Sequence, residues 1–430
     1  MSRTANYPPT AEMQALDAAH HLHPFTNHAE LAARGARVIT AAEGVWLTDS
    51  EGNRILDGMA GLWCVNIGYG RAELAEAAAR QMRELPYYNT FFQTTHPPAV
   101  LLAERLARLA PEGLDHVFYS TGGSDANDTN IRLVRLYWER MGQPERQVII
   151  SRHNAYHGST MGAASLGGMA AMHAQGGLPI PGIEHIMQPH WWAEAEDGES
   201  PEDFGRRAAR ALEEAIDRIG PERVAAFIAE PVQGAGAVIV PPESYWPEVA
   251  RICAERGILL ISDEVICGFG RTGWWWGAEG YGVRPDIMTV AKGMSSGYAP
   301  IGGSIVRREI AEAIADVEFF HGYTYSGHPV SCAVALENLR IMEEERIVER
   351  VATDTGPYLA ARWAELGAHP LVGEVRIRGM MAALQLTPDK AARAPFAAPA
   401  GTVGLIGRER AIANGLVMRH VGDSLIIAPP

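Results

Sequence analysis

The segment Ile258–Lys292 constrains the fold more than any other part of the chain. An apolar run from Ile258 leads into Asp263 and Glu264 and then into glycine-rich sequence. Such a run is typical of a strand buried on both faces, as in a parallel α/β sheet. Because open α/β sheets bind ligands at the carboxyl ends of their strands, we expect a site at these acids.

A second buried strand, predicted from Asp286 to Ala291, delivers Lys292 into a Gly/Ser-rich turn. A lysine in this position loses part of its hydration, which favours the neutral amine. Taken singly, the acid and the lysine would more often be a strand-end cap and a surface charge. Together they suit pyridoxal 5'-phosphate (PLP), which attaches to a lysine and needs a carboxylate beside its pyridine nitrogen.

The run Asp263–Gly273, followed by Lys292, resembles the cofactor-attachment signature of the class III aminotransferases, PLP enzymes of fold type I. The resemblance runs from about Leu16 to Pro430 and is closest to the ω-amino acid:pyruvate and amine:pyruvate transaminases, including those acting on putrescine and other polyamines. It implies an α/β fold, with a large, mostly parallel α/β/α domain and a smaller α+β domain built from both chain ends.

The composition agrees with a large globular enzyme. The chain has 430 residues, 47% of them hydrophobic, and a formal net charge of −14. This length allows a sizeable core in two or three domains, and the acidic charge disfavours nucleic-acid and membrane partners. Its four cysteines form no close pair, and no signal peptide or membrane span is evident. We therefore expect a cytoplasmic protein.

Local patterns predict the domain organisation. Short strands with turn signals occur between residues 37 and 57 and again after residue 371, while the region between them alternates strands and helices. We expect an N-terminal arm and meander over residues 1–70, a large PLP-binding domain over 71–325 and the rest of the small domain over 326–430. Residues 161–198 are rich in Gly, Met and Pro and are expected to be irregular.

A predicted strand ending at Ser120 enters the turn Thr121–Asp125 and then a helix. Exposed backbone N–H groups and the positive end of a helix dipole bind phosphate at such turns, although close packing alone explains most of them. By resemblance, this turn occupies the place of the family's Ser-Gly-Ser-Glu element. Gly122 replaces its first serine and Asp125 its glutamate, so one hydroxyl contact is expected to be lost.

The resemblance also assigns the remaining site residues. Lys292 and Asp263 are the catalytic pair, Tyr156 covers the cofactor ring and Glu230 lies near the lysine. The cofactor-binding residues that it implies are Gly122, Gly123, Ser124, Tyr156, His157, Glu230, Asp263, Val265, Lys292 and Thr324. The substrate-binding residues are Phe25, Leu62, Trp63, Cys64, Phe91, Tyr156, Ala235, Tyr323 and Arg419.

Two of these assignments have simpler alternatives. The segment around Trp63 could be packing between layers, and Arg419 could form a surface ion pair. Arg419 otherwise offers a two-donor fork for the carboxylate of pyruvate. The loop His321–Pro329 crosses the dimer interface in relatives, which implies a homodimer or a dimer of dimers in which Thr324 reaches the partner's phosphate.

No metal site is expected from the sequence. His20, His21 and His23 are close together, but their spacing fits no standard site and we expect no Cys or acid to join them. Two further features depart from ordinary patterns. The run Trp274–Trp276 is expected in the core or at a subunit interface, and Arg378 stands where relatives carry a small or apolar residue.

The predicted activity is a PLP-dependent transamination between a primary amine and pyruvate, with putrescine, a polyamine or another ω-amine as donor. The products are an aldehyde or ketone and L-alanine. A β-alanine or ω-amino acid:pyruvate transaminase is an alternative. An aminomutase or decarboxylase would use Lys292 and Asp263 in the same way. A non-enzymatic protein of this fold would lack the lysine or the acid, and this chain keeps both.

Overall fold

The structure, a computed structural model, describes residues 7–430. Its strands in chain order are β1 (Ile39–Glu43), β2 (Trp46–Asp49), β3 (Arg54–Asp57), β4 (Leu114–Ser120), β5 (Val148–Arg152), β6 (Ile183–Ile186), β7 (Val224–Ala229), β8 (Leu259–Asp263), β9 (Ile287–Val290), β10 (Gly302–Arg307), β11 (Val372–Arg378), β12 (Met381–Leu386), β13 (Leu416–Val417), β14 (Arg419–Val421) and β15 (Ser424–Ile427).

The α-helices surround these strands, and a π-helical segment, Val351–Thr355, joins two of them. In chain order they are α1 (Thr10–His20), α2 (His28–Arg34), α3 (Ala60–Trp63), α4 (Ala72–Glu84), α5 (Pro97–Leu109), α6 (Gly123–Arg140), α7 (Met161–Leu166), α8 (Ala170–His173), α9 (Trp191–Glu194), α10 (Pro201–Ile219), α11 (Tyr245–Arg256), α12 (Arg308–Ala313), α13 (Pro329–Glu344), α14 (Ile347–Arg350), α15 (Gly356–Glu365) and α16 (Thr402–Ala413).

A seven-stranded sheet in the order β4-β10-β9-β8-β7-β5-β6 forms the centre of the fold. Only β10 runs antiparallel to its neighbours among these strands, and the other pairs are parallel. Every residue of β7, β8 and β9 is buried. The apolar runs that predicted these strands are therefore explained by helices covering both faces of the sheet.

Helix α10 shows how the covering layer is held. Ser200 caps it by accepting a hydrogen bond from the Asp203 backbone N–H at 3.1 Å, and Pro201 occupies the first turn. Phe204 and Leu212 lie on its inner face and are fully buried in a cluster with residues of β7 and α11. Each such side chain contributes roughly 1.5–3 kcal/mol relative to exposure.

Two smaller four-stranded sheets complete the fold, in the orders β1-β2-β3-β13 and β11-β12-β15-β14. Strand β13 pairs in parallel with β3, with Leu416 opposite Leu56, so the two ends of the chain share one sheet. The sequence Leu416–Arg419 has the pattern of one short strand, and this prediction is wrong. The segment divides after Val417, and Arg419 begins β14 in the other sheet.

The expectation for residues 161–198 was also wrong. This region contains α7, α8 and α9, and β6 is an edge strand of the central sheet paired with β5. Strand β6 has only four residues and includes Glu184 and His185, so it lacks the apolar run that reveals a buried strand. None of the helices in residues 7–430 combines the length and apolar character needed to cross a bilayer.

Candidate active site

A cavity of about 320 Å³ opens at the carboxyl ends of the parallel strands. It is the place where sheets of this kind bind ligands. Ten of the predicted site residues line it, namely Cys64, Gly122, Gly123, Ser124, Tyr156, His157, Glu230, Asp263, Val265 and Lys292.

Lys292 follows β9 and lies at the cavity wall. Its backbone has φ 43°, in the left-handed region that costs a non-glycine residue roughly 1–3 kcal/mol. Burial lowers the pKa of its ammonium group. Among residues 7–430, no group hydrogen-bonds or ion-pairs with Lys292 Nζ. A partly desolvated, unpaired amine facing a cavity can act as a nucleophile or as a base.

Asp263 ends β8 and is 3% exposed. Its Oδ2 accepts hydrogen bonds from His157 Nδ1 at 2.7 Å and from Asn127 Nδ2 at 2.9 Å. Its Oδ1 accepts one bond, from the Val265 backbone N–H at 3.1 Å. Three donors fix the carboxylate in place while Oδ1 keeps capacity for a partner in the cavity.

Glu264, the next residue, does not line the cavity. Its carboxyl group accepts hydrogen bonds from the backbone N–H groups of Gly277 and Ala278 at 2.7 and 2.9 Å, and from Ser262 Oγ at 3.0 Å. Burial raises its pKa to about 7. Glu264 therefore anchors the chain that follows Trp276. Of the two adjacent acids, Asp263 lines the cavity and Glu264 does not.

The predicted phosphate turn lies at the N-terminus of α6. Gly122 has φ −168°, an extended conformation open to any residue, and a Cβ there would meet only Asp125 Oδ1, at 3.5 Å. At Gly123 a Cβ would lie 2.8 Å from Val265 Cγ2. Asp125 accepts hydrogen bonds from the Thr121 backbone N–H and hydroxyl at 2.6 and 2.7 Å. Aspartate therefore closes the turn where the family has glutamate.

Gly158 supports the same turn from the neighbouring loop. Its φ is +138°, and a Cβ would lie 2.6 Å from Ser124 Oγ and 2.7 Å from Ser124 Cα. Ser124 Oγ in turn accepts a hydrogen bond from the Ser159 backbone N–H at 3.1 Å. Only glycine allows the two loops to approach this closely.

Glu230 connects two loops beneath the cavity. One of its oxygens accepts from the Tyr156 backbone N–H at 3.0 Å and the other from the Gly234 backbone N–H at 2.9 Å. Burial raises the pKa of this carboxyl group. Glu230 therefore fixes the segment carrying Tyr156, whose ring borders the cavity, as well as the loop leading to Ala235.

Seven predicted substrate residues lie outside the cavity lining, namely Phe25, Leu62, Trp63, Phe91, Ala235, Tyr323 and Arg419. Trp63 and Ala235 are buried, and Trp63 belongs to an apolar cluster with Ile266, which does line the cavity. Leu62 is 55% exposed. Phe25 is 77% exposed, with its ring centroid 6.4 Å from that of Tyr156. Phe25 and Leu62 thus border the outside, and Trp63 supports the wall from behind.

Phe91, Tyr323 and Thr324 form a second cluster, away from this cavity. Tyr87 donates a hydrogen bond from its hydroxyl to the Thr324 carbonyl at 2.6 Å, and the Phe91 ring packs against Gly322. Tyr323 donates from its hydroxyl to the Asp125 carbonyl at 2.9 Å. The loop carrying Thr324 is therefore attached to the phosphate turn of its own chain, while Thr324 itself is exposed.

Arg419 begins β14 and is half-buried. Burial lowers its guanidinium pKa, Arg408 lowers it further, and Tyr156 lies close enough to raise it. No hydrogen-bond or ion-pair partner for its guanidinium occurs in the described chain from residue 7 onward. The alternative of a surface ion pair therefore finds no support in this structure.

The statement that no acid joins the N-terminal histidines is wrong. Asp17 lies one helical turn before His21, and its carboxylate accepts hydrogen bonds from His21 Nδ1 at 3.1 Å and His23 Nε2 at 2.8 Å. The His23 bond contributes most to lowering the Asp17 pKa. The three side chains are close enough to hold a metal ion. The absence of a metal requirement stays a prediction.

Sequence reasoning missed the far wall of the cavity. It is formed largely by the segment that follows Lys292, through Ser295, Gly297, Ala299, Pro300 and Ile301. The signal that the sequence offered was that this segment directly follows the attachment lysine. Arg378 and Trp276 are explained by packing: Arg378 pairs with Glu243 at 3.0 Å, and Trp276 is buried and donates to the Leu109 carbonyl at 2.7 Å.

The residues present fit PLP. The phosphate requires backbone donors at a helix N-terminus without obstructing side chains, and the Gly122–Ser124 turn at α6 meets this requirement. The pyridine nitrogen requires a fixed carboxylate, and Asp263 has one oxygen with spare capacity. The attachment point requires an unpaired amine, and Lys292 has one. All three groups line the same cavity.

Comparison with known proteins agrees with this fit. The profile of the family described as aminotransferase class-III matches residues 30–430. The chain is 59% identical over 422 residues to the putrescine–pyruvate aminotransferase of Pseudomonas aeruginosa, covering 98% of this chain and 92% of that protein. It is 43% identical over 404 residues to the diaminobutyrate–2-oxoglutarate transaminase of Halomonas elongata, covering 92% and 86%.

Solved structures give the same result. An (S)-enantioselective ω-transaminase from Thermomicrobium roseum matches with a TM-score of 0.95 and 48% identity over 99% of this chain and 94% of that one. The ω-transaminase of Pseudomonas jessenii in complex with PMP also gives 0.95, with 41% identity over 97% and 93%. The predicted family, fold type and cofactor are confirmed. The chain belongs to the class III aminotransferases, PLP-dependent enzymes of fold type I.

Proposed function

We propose that this protein transfers an amino group from a primary amine, with putrescine or another ω-amine as donor, to pyruvate. An aldehyde or ketone and L-alanine are the products. The observation that carries the proposal is the unpaired guanidinium of Arg419 near Tyr156. The 59% identity to a putrescine–pyruvate aminotransferase supports the same donor and acceptor.

The chain's own residues have distinct tasks in this reaction. Bound PLP supplies an electron sink for bond breaking at the amine-bearing carbon. Lys292 would hold the cofactor and, once displaced by substrate, move the proton at that carbon. Its lowered pKa keeps a larger share of the amine neutral and so able to accept a proton. Asp263 would keep a proton on the pyridine nitrogen.

The phosphate would be held by Gly122, Gly123 and Ser124 at the N-terminus of α6. Tyr156 would lie against the cofactor ring, with Glu230 fixing its backbone. Val265 and His157 complete this contact set, Val265 packing beside Gly123 and His157 holding Asp263. Cys64 shares the cavity with Lys292, and burial raises the pKa of its thiol, which disfavours the thiolate.

One site has to accept both a carboxylate and an amine without one. Arg419 would bind the pyruvate carboxylate through two parallel N–H donors. When a carboxylate-free amine binds, the Arg419 guanidinium can move aside without breaking a hydrogen bond or ion pair of the described chain. The apolar part of the donor would then pack near Phe25, Leu62 and Trp63, with Phe91 and Tyr323 supplied from a second subunit.

Arg419→Ala tests the proposal by separating the two half-reactions in stopped-flow experiments. The half-reaction with putrescine should proceed near the wild-type rate. The half-reaction with pyruvate should lose roughly 2–3 kcal/mol, or about 30- to 150-fold in specificity, because a charge-assisted pair is removed. Arg408→Ala, which removes the neighbouring positive charge and leaves Arg419 in place, is the matched control. Equal losses in both halves would refute carboxylate recognition by Arg419.

A donor panel with pyruvate completes this test. Putrescine, β-alanine and an arylalkylamine would be compared at equal concentration by L-alanine formation. Faster turnover with β-alanine than with putrescine would replace the proposal by ω-amino acid:pyruvate transamination. Absence of alanine with all donors would refute pyruvate as acceptor.

We further propose that the protein works as a homodimer, or a dimer of dimers, with shared sites. The loops carrying Phe91 and Thr324 pack on each other, and nearby Phe92, Phe320 and Tyr325 are 89%, 77% and 60% exposed. A second copy of the chain would cover these aromatics and receive Thr324 at its phosphate turn. Residues 1–70 and 326–430 would form the small domain, and 71–325 the large one.

Mixed dimers test the shared site. Thr324→Ala should raise PLP dissociation at least about tenfold, as for a hydrogen bond to a charged group. Dimers formed from Thr324→Ala and Lys292→Ala subunits should regain one tight site, which combines an intact lysine with the other subunit's threonine. Failure to regain it, or a fully active monomer in sedimentation, would contradict the proposal. We also propose a cytoplasmic location, which is supported by four cysteines that form no disulfide with one another.

A further inference from the structure

A chain of buried polar side chains leads from β10 to Asp263. Ser304 Oγ donates to Asn130 Oδ1 at 2.6 Å, and Asn130 Nδ2 donates to Thr289 Oγ1 at 2.8 Å. Thr289 Oγ1 donates to Asn127 Oδ1 at 2.8 Å, and Asn127 Nδ2 donates to Asp263 Oδ2 at 2.9 Å. The four side chains that lead to Asp263, those of Ser304, Asn130, Thr289 and Asn127, have no exposed surface. We name this set the Ser304 relay.

Every hydrogen bond of the Ser304 relay has the same direction. The carboxylate of Asp263 can only accept, so Asn127 has to present its NH2 group there. The second hydrogen of that group goes to the His157 carbonyl at 2.8 Å. The Asn127 amide oxygen then faces Thr289, which has to donate its hydroxyl and accept from Asn130. The direction is consistent from Ser304 to Asp263.

Thr289 and Asn130 therefore select one of the two orientations of the Asn127 amide. A flipped amide would place its oxygen against the Asp263 carboxylate and its NH2 group against the Thr289 hydroxyl. In a buried site that arrangement is unfavourable, because it leaves repelling acceptors and unsatisfied polar groups. Without the relay, only Asp263 and the His157 carbonyl would select this orientation, and the amide oxygen of Asn127 would lose the donors that face it.

Packing alone does not require these residues. The relay joins α6, β9, β10 and β8, at positions where apolar side chains would fill the same interior without burying polar groups. A fully satisfied polar network makes a buried site more rigid and specifies one arrangement. The network ends on Asp263, a carboxylate that lines the cavity and keeps spare acceptor capacity at Oδ1.

We propose that Asn127 is the positioning residue of Asp263, and that Thr289, Asn130 and Ser304 fix the orientation of its amide. The relay keeps the carboxylate fixed and aimed into the cavity before the cofactor arrives. This inference rests on the proposed function, in which Asp263 serves the pyridine nitrogen. It adds residues that never touch the cofactor to those that determine its binding.

Thr289→Val tests the relay with a nearly isosteric side chain that lacks the hydroxyl, and Asn127→Asp replaces the donor facing Asp263 by an acceptor. Asn127→Asp should raise the PLP dissociation constant of the apoprotein about tenfold or more in equilibrium dialysis, as expected when a hydrogen bond to a charged group is lost, and Thr289→Val, which removes bonds between neutral groups, should raise it by a smaller factor. The visible absorption spectrum of the bound cofactor should also shift. Ser304→Ala, at the far end, should have a smaller effect in the same direction.

The controls separate positioning from folding. Thr289→Ser restores the hydroxyl and should return PLP affinity and spectrum to nearly wild-type values, although its packing is poorer. Ser151→Ala removes a buried hydroxyl of the same sheet that has no contact with the relay, and should change neither. Thermal unfolding of each apoprotein identifies any variant that fails to fold.

Two outcomes would overturn the inference. If folded Thr289→Val and Asn127→Asp bind PLP with the wild-type constant and spectrum, the relay does not position Asp263. If Thr289→Ser keeps its fold but does not recover the wild-type PLP affinity and spectrum, the hydroxyl at position 289 does not position Asp263. Asp263→Asn is measured beside them: unchanged affinity and spectrum in that variant would refute the role of Asp263 itself, and the inference with it.

Discussion

Gly122→Ser restores the hydroxyl that this chain lacks in its phosphate turn. Gly122 lines the cavity and has an extended backbone, so serine adopts the native conformation without strain. The nearest atom to its Cβ would be Asp125 Oδ1 at 3.5 Å, an ordinary contact distance. We therefore expect the fold to accept the change and PLP to bind more tightly.

The magnitude follows from two separable effects. Removing a glycine from a compatible position stabilises the fold by about 0.4–1 kcal/mol, because the unfolded chain loses freedom. A new hydrogen bond to the phosphate adds roughly 1.5 kcal/mol to binding, or about tenfold in the dissociation constant. Gly122→Ala carries the first effect without the second and is the matched control.

The assay is equilibrium dialysis of PLP against the three apoproteins, together with urea unfolding. Gly122→Ser and Gly122→Ala should be similarly stabilised, and only serine should bind PLP more tightly. Equal PLP affinity in serine and alanine variants would refute the reasoning. It would show that the hydroxyl donates to Asp125 Oδ1 and not to the phosphate.

Two further predictions concern the site walls. Lys292→Met should stabilise the apoprotein below the lowered folded pKa of Lys292, because burial opposes its charge. This advantage should shrink as the pH rises toward 10.5, the ordinary pKa of lysine. Urea unfolding measures the stability difference between the two proteins across this range, and a constant difference would contradict the prediction. Gly158→Ala should cost roughly 2–5 kcal/mol of unfolding free energy, because of its φ of +138° and the contact with Ser124. Urea unfolding within about 0.5 kcal/mol of wild type would refute that strain.

Local sequence was sufficient where a signal is continuous along the chain. Strand β7 begins and ends where its apolar run does, and α5 spans the helical apolar pattern that begins at Pro97 and ends at Leu109. The positions of Asp263 and Lys292 at neighbouring strand ends followed from two such runs. A strand that is buried on both faces has a continuous apolar run of this kind, whichever elements cover it.

Long-range contacts explain what was missed. Strand β6 is too short and polar for a pattern and exists because β5 pairs with it. Asp17 reaches His23 because the chain turns back after α1. Arg419 entered a different sheet from Val417, since β14 pairs with β15 and β13 with β3. The pairing of β13 with β3 joins residues hundreds of positions apart, and the other contacts depend on how the chain turns between elements, which the local pattern does not show.

By itself, the sequence determined the class of sheet, the chemistry of an acid and a lysine at its edge, and the resemblance that connects them to PLP. Tertiary structure alone decided that Asp263 faces the cavity while Glu264 is occupied by Gly277 and Ala278, and that Asn127 holds Asp263 from behind. The physical reason is that a residue's partners, unlike its identity, are set by which distant elements pack against it.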